Sequence, residues 1–286
     1  MTVSFCTIAR GRERNLRNLI LGLSEQSTLP DELVIAYMQD EPYTDLPSCP
    51  FPIRQVAVEG ALLPLAAARN AAAATAIGDT LVFIDVDCIP LPHLIEAYLD
   101  AMRPDRCLMG ETRYLAQMNA INPTAADELW QLSHQHPARQ FSETLGPGLQ
   151  PIQDVREFWS LSFALSAKTF RKMQGFDETF EGYGGEDTDF AMKLAQSQVG
   201  LWWVPKAQAV HQWHAVQKPP LSQFDDIIRN ARLFRRKHGV WCMEYWLDQF
   251  EAEGFIRRIA DEIEVERKPS PNQCKAAICS GNVRFS

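Results

Sequence analysis

The stretch Leu81-Val82-Phe83-Ile84-Asp85-Val86-Asp87 decides how this chain is read. Four consecutive apolar residues, mostly β-branched or aromatic, lie between Gly78-Asp79 and a pair of aspartates. That pattern describes a strand buried on both faces, which belongs in a parallel sheet covered by helices. The pattern continues outward. Val3 to Ile8 is another short apolar run, and Leu16, Leu19, Ile20 and Leu23 recur at the spacing of an amphipathic helix. Leu33 to Met38 and Ile53 to Val58 read as further strands, separated by a proline-rich loop over Glu41 to Pro52. A helix follows Pro64 and stops at Gly78-Asp79, and Pro90 and Pro92 open another. Strand, helix, strand, strand, helix, strand is the order of an α/β protein with a doubly wound, mostly parallel sheet. Ligands of such sheets bind outside the carboxyl ends of the strands. Asp85 and Asp87 fall at such an end.

Downstream the signals are more mixed. Trp130 to Pro151 is polar, with His, Gly and Pro, and reads as a long loop or lid. Phe158 to Ser166 reads as a strand, and Ala167 to Met173 as a short helix ended near Gly175. A glycine turn at Gly182 to Gly185 precedes a helix from Glu186 to Gln196. Trp202 to Val204 and Gln208 to His211 read as two short strands. Leu221, Phe224, Ile228 and Ala231 mark an amphipathic helix, and the aromatic stretch Trp241 to Phe250 reads as a helix that packs on the core or as part of a ligand-binding site. Residues 1–240 are expected to form one domain of two halves, over about 1–115 and about 116–240. A C-terminal helical extension with a loose tail is expected over 241–286.

Composition narrows the function. A net charge of -8 argues against nucleic-acid binding, which needs a basic surface to displace counterions. The seven cysteines are odd in number and form no Cys-x-x-Cys pair, which suits a reducing compartment better than a disulfide scaffold. Met1 to Arg10 reads as a strand rather than a signal peptide. The apolar run over 61–77 is interrupted by Pro64, Arg69 and Asn70 and falls short of a membrane span. A soluble, cytoplasmic protein with at most peripheral membrane contact is expected.

Four constellations carry chemistry. Asp85 and Asp87, two residues apart after a buried strand, are costly unless they meet a cation or donors; an ordinary acidic turn explains the spacing equally well. In Tyr183-Gly184-Gly185-Glu186-Asp187-Thr188-Asp189-Phe190, the glycines permit close backbone approach, and the acids fall in a first helical turn, where the macrodipole favours their ionised form. That arrangement suits a general base, although helix capping alone also explains it. His211 and His214 converge on one metal if a bend follows the strand, and are otherwise surface histidines. Arg10-Gly11-Arg12 after the first strand fits bidentate phosphate or uracil contacts, or a solvated helix start.

Order and spacing together carry more than each motif alone. FIDVDCIP at 83–90, Gly175-Phe176, and YGGEDTDF at 183–190 resemble the β-1,4-galactosyltransferase family, with its DVD strand end and WGGEDDD-type block. SFCTIARGRERNL at 4–16 and Arg69-Asn70-Ala71 resemble the opening and a helix of family 2 glycosyltransferases. The resemblance covers roughly residues 3–215. It implies the GT-A fold, with a nucleotide half over about 1–115 and an acceptor half over about 116–240, and an inverting, metal-dependent transferase that uses a UDP-sugar of galactose or N-acetylhexosamine type. The acceptor would be a saccharide or lipid-linked, as in polysaccharide biosynthesis. It implies that Asp85 contacts the ribose and Asp87 a divalent metal, with Arg10 and Arg12 near the nucleotide. Thr7, Asp40 and Arg69 are grouped with these as nucleotide-sugar contacts. Glu186, with Tyr183, Gly184 and Gly185, would hold the acceptor, and Asp187 would be the catalytic base. The family's Met-x-x-His metal element here reads His211-x-x-His214, and its sugar-packing tryptophan is Tyr183. The implied ion is Mn²⁺ first, with Mg²⁺ as the alternative. Two rivals are a nucleotidyltransferase acting on sugar phosphates and a non-catalytic sugar-binding module. The single glycine of Ala9-Arg10-Gly11-Arg12 argues against the former.

Overall fold

A computed structural model of the chain describes residues 1–60, 62–118, 120–138, 146 and 148–279. The first half follows the expected order: β1 (Val3–Ala9), α1 (Glu13–Ser24), β2 (Glu32–Tyr37), β3 (Ile53–Ala57), α2 (Leu65–Thr75) and β4 (Thr80–Ile84). These four strands pair in parallel, in the order β3-β2-β1-β4. Strands β1, β2 and β4 are buried along their whole length, as the unbroken apolar runs require. After β4 come β5 (Cys88–Pro90), α3 (Leu94–Ala101), β6 (Arg106–Tyr114), α4 (Ala126–Leu132), β7 (His134–Gln135) and β8 (Gln150–Ile152). The chain then continues through β9 (Ser162–Ser166), α5 (Ala167–Lys172), α6 (Glu186–Gln196) and β10 (Gly200–His211).

The sheet extends as β4-β9-β6-β10-β5, with β9 antiparallel to both its neighbours and β10 parallel to β6. Helices cover both faces. Leu16, Leu19, Leu94 and Tyr98, from α1 and α3, pack on one. Ala68, Ala72, Phe170 and Phe190, from α2, α5 and α6, pack on the other. On that second face a file of rings, including Phe83–Phe163 at 4.7 Å and Phe176–Phe190 at 4.3 Å, fixes α6 against the sheet.

Three expectations need correction. β10 is one strand, not two; its pairing with β6 shifts between Val204 and Gln208, around Pro205. Proline lacks the ladder N–H, so the strand bulges there and resumes. Part of the expected loop over 130–151 is ordered as α4, β7 and β8, while 139–145 and 147 lie outside the described residues. The tail is docked up to residue 279. Helix α9 (Pro271–Ala276) carries a capping box between Ser270 and Gln273, Lys268 pairs with Asp225, and Gln217 bridges to Ile278; residues 280–286 lie outside the described set.

Helices α7 (Phe224–His238) and α8 (Glu244–Ala252) share a core with the β11–β12 hairpin (Ile256–Ile259 and Glu262–Val265). All seven cysteines are free thiols. Among the described residues no helix is long and apolar enough to cross a membrane.

Candidate active site

The carboxyl ends of β4, β6 and β10 bring the acidic pair and the histidines together. Directly after Asp87, β5 pairs antiparallel with the end of β10, in the register Cys88↔His211. The Gln212 amide donates to the Asp87 carbonyl at 2.7 Å, which bends the chain after the strand. His211 and His214 therefore converge: His211 Nε2 lies 3.3 Å from Asp87 Oδ1, and His214 Nε2 3.4 Å from Oδ2. The ligating atoms of all three lie within 4.8 Å of one another. Burial raises the Asp87 pKa, but the two imidazoles outweigh it and hold the carboxyl well below the usual range. Tyr114 stacks on His211 at 4.7 Å and fixes the plane of its ring. Two imidazole nitrogens and a carboxylate, gathered at one point and partly buried, are a donor set that fits a divalent transition ion.

Arg69, on α2, joins this strand end to the glycine block. One guanidinium nitrogen lies 3.2 Å from Asp85 Oδ1 and the other 3.1 Å from Glu186 Oε1. The side chain is buried and lies over the Phe176 ring. Burial would lower its pKa, but the charges of Asp85, Glu186 and Asp187 raise it, so the cation is locked in. For Glu186 burial works against the macrodipole. Burial, reinforced by the charge of Asp187, pushes it up to about 7 despite Arg69. Desolvation dominates here because Glu186 is only 5% exposed. Asp85 is raised in the same way, by burial against the opposing pull of Arg69. Asp187 is partly exposed and accepts the Thr188 amide at 2.7 Å.

The glycine block is held from behind by α7. Gly184 and Gly185 take φ of 89° and 90°, which a side chain would strain. Asn230, fully buried, donates to the Glu181 and Gly184 carbonyls at 2.9 and 2.7 Å, and Asp226 accepts the Tyr183 amide at 3.2 Å. Asp189, the third acid of the motif, faces away from the site. It is fully buried and meets His238 at 2.7 Å and Lys237 at 2.6 Å, which anchors α6 to the end of α7.

The remaining expected residues sit apart from this cluster. Arg10 is exposed and Arg12 half-buried in the turn after β1, and Asp40 is exposed beyond β2. Gly11 donates to Gln39 at 2.8 Å, so the two turns are tied together at the same sheet edge. Thr7 lies inside β1, 1% exposed, with its hydroxyl unpaired and two residues short of the strand end. Reasoning from sequence missed Gln212, whose side chain bonds Asn18 and the Asn15 carbonyl and so fastens the histidine bend to α1. It also missed Asn230. Neither has a local signal, since each acts on backbone far away in the chain.

The acidic strand end, linked through a buried arginine to a Gly-Gly-Glu-Asp block and beside a His-Asp-His cluster, lies at the carboxyl edge of a mostly parallel sheet; with the matches that follow, the chain is of the GT-A class of glycosyltransferases. The family model for glycosyl transferase family 2 matches residues 4–149, and that for the N-terminal domain of galactosyltransferase matches 147–215. The chain belongs to glycosyl transferase family 2. It is 24% identical over 204 residues to validoxylamine A glucosyltransferase of Streptomyces hygroscopicus subsp. jinggangensis (strain 5008), covering 64% of this chain and 47% of that protein. The chain thus spans about half the length of this curated relative. The structure of GalNAc-T7 with UDP, GalNAc and Mn²⁺ superposes with a TM-score of 0.54 at 11% identity, covering 88% of this chain and 57% of that one. That of S. aureus TarS 1–349 in complex with UDP gives 0.55 at 16%, covering 88% and 70%. Both likenesses are of fold.

Proposed function

We propose that the chain transfers a sugar from a UDP-sugar to a hydroxyl acceptor, with inversion at the anomeric carbon. The observation that carries this reading is the Arg69 bridge, which sets the strand end for the donor and the glycine block for the acceptor at a fixed separation. UDP in the structures of two fold neighbours supports the nucleotide. A galactose or N-acetylhexosamine donor and a saccharide or lipid-linked acceptor are the substrates proposed.

Asp85 is assigned to the ribose, with Arg10, Arg12 and Asp40 at the mouth of the same sheet edge. Asp87, His211 and His214 would hold a divalent ion, Mn²⁺ rather than the oxygen-seeking Mg²⁺, which when bound supplies charge to offset the departing diphosphate. Asp187 takes the proton of the acceptor hydroxyl as that oxygen attacks. The new C–O bond forms while the bond to the diphosphate breaks, and UDP leaves with the electron pair. Glu186, fixed by Arg69, orients the acceptor. One observation favours a second assignment within the same reaction: Glu186 sits at about 7, where a base works best at neutral pH.

Asp187→Asn is expected to reduce turnover by about 10²- to 10⁴-fold, the usual range for loss of a positioned base, with UDP affinity retained. Turnover that survives in Asp187→Asn and is lost in Glu186→Gln moves the base to Glu186. Proton NMR of the product's anomeric centre reads the stereochemistry, and retention of configuration refutes the single displacement.

A further inference from the structure

Helix α8 reaches the glycine block from the far end of the chain. Its cap residue Met243 lies on the bare backbone of Gly184. A Cβ on that glycine would stand 2.5 Å from Met243 Sδ and 3.6 Å from the Trp246 ring. The Trp246 and Tyr183 rings lie 5.5 Å apart, tilted by 35°. Their neighbours Leu247 and Phe250 are fully buried against α7, so the tryptophan is presented from a rigid element. Trp246 itself stays partly exposed. Its surroundings are those of the site. Burial, followed by the charges of Glu186, Asp187, Asp85 and Asp87, raises the Tyr183 phenol, and burial with Asp187 raises the Cys242 thiol.

Two partly exposed rings beside a cluster of carboxylates are suited to one class of ligand. The C–H face of a pyranose lies on aromatic rings, while its hydroxyls donate to carboxylates. We propose that Trp246 adds a second aromatic ring to the acceptor side, beside the position that the resemblance already gives to Tyr183, and that the C-terminal helix thereby takes part in selecting a pyranose acceptor. The proposal rests on the transfer reaction above. A residue that only packed would, when changed, alter stability or all kinetic constants together. A platform for the acceptor changes one constant selectively.

The test uses the full chain with Mn²⁺, UDP-sugars, and p-nitrophenyl β-glucoside and β-N-acetylglucosaminide as acceptor probes. Trp246→Leu is expected to raise the probe KM about tenfold or more, with the donor KM and UDP affinity changed by less than about twofold. Trp246→Phe, which keeps a ring, is expected to recover most of the probe KM lost in Trp246→Leu. A probe KM unchanged in Trp246→Leu, or equal losses in both variants, overturns the proposal. Fluorine NMR of fluorotryptophan-labelled protein gives a reading independent of turnover and of how Trp246→Leu folds. The resonance that disappears in Trp246→Phe should shift when probe is added with UDP, and its failure to move with either probe overturns the platform. Absence of turnover in the wild type with every donor instead refutes the transfer reaction, while the fluorine shift still decides Trp246.

Discussion

Replacing Glu186 by glutamine tests the electrostatics of the site most directly. Burial and the neighbouring Asp187 raise this carboxyl from its ordinary 4.5 to about 7. Folding therefore binds a proton here, between those two values, that the unfolded chain has already released. The sign follows: the folded state loses stability as pH rises from 4.5 to 7, and the full cost remains at pH 8. The gap of about 2.5 pH units, at ~1.4 kcal/mol each, corresponds to roughly 3–4 kcal/mol in full, most of which develops between pH 4.5 and pH 8. Glutamine has the shape of the protonated acid and does not titrate. Urea unfolding of metal-free and nucleotide-free protein, followed by tryptophan fluorescence at several pH values, reads the effect. The stability of Glu186→Gln relative to wild type should increase by roughly 3 kcal/mol between pH 4.5 and pH 8. The change with pH is the informative quantity, because any pH-independent effect of the amide on Arg69 cancels from it. Stability profiles that run parallel over this range, within about 0.5 kcal/mol, would refute the reasoning.

Other outcomes follow from the same geometry. In calorimetry with excess chelator, UDP binding should weaken at least about tenfold and return with Mn²⁺, and His211→Ala and His214→Ala should each reproduce the loss; unchanged binding would remove the metal site. Gln212→Ala should cost ~1–3 kcal/mol in thermal or urea unfolding, because it removes a buried side chain and leaves the half-buried Asn18 amide and Asn15 carbonyl without it, and should also weaken Mn²⁺ affinity by loosening the histidine bend. Gly184→Ala, at φ 89° and against Met243, should lower stability by ~1–3 kcal/mol and slow transfer without changing UDP affinity. A Gly184→Ala protein as stable as wild type would contradict the packing described.

Much of the fold was legible because its strands are long and buried. β1, β2 and β4 announce themselves as unbroken apolar runs, and α1 by its spacing. β5, β7 and β8 have two or three residues each, too few for any periodicity to register, yet β5 delivers His211 to Asp87. The site motifs were legible as residue types in order. Their energetics were not. Position in a first helical turn favours an ionised Glu186, but burial, a property of the finished fold, dominates. The sequence groups Arg69 with the nucleotide contacts but does not show that it lies between two carboxylates, an arrangement that depends on α2 and α6 meeting across the sheet edge. Asn230 and the Asp189–His238 pair act between segments distant in sequence, where no local pattern exists.

The His-Asp-His cluster has a consequence for how the protein comes off the ribosome. Asp87 emerges once the parallel partners of its strand are already synthesised, whereas His211 and His214 emerge more than a hundred residues later. An N-terminal nascent chain therefore displays Asp85 and Asp87 without the imidazoles and without Glu186, the other partner of Arg69. A fragment cut or terminated anywhere before residue 211 keeps the DVD strand end but lacks the histidines that complete the cluster. Translation must pass the end of β10 before the acidic strand end gains its histidine partners, so truncated products should be inert rather than partly active.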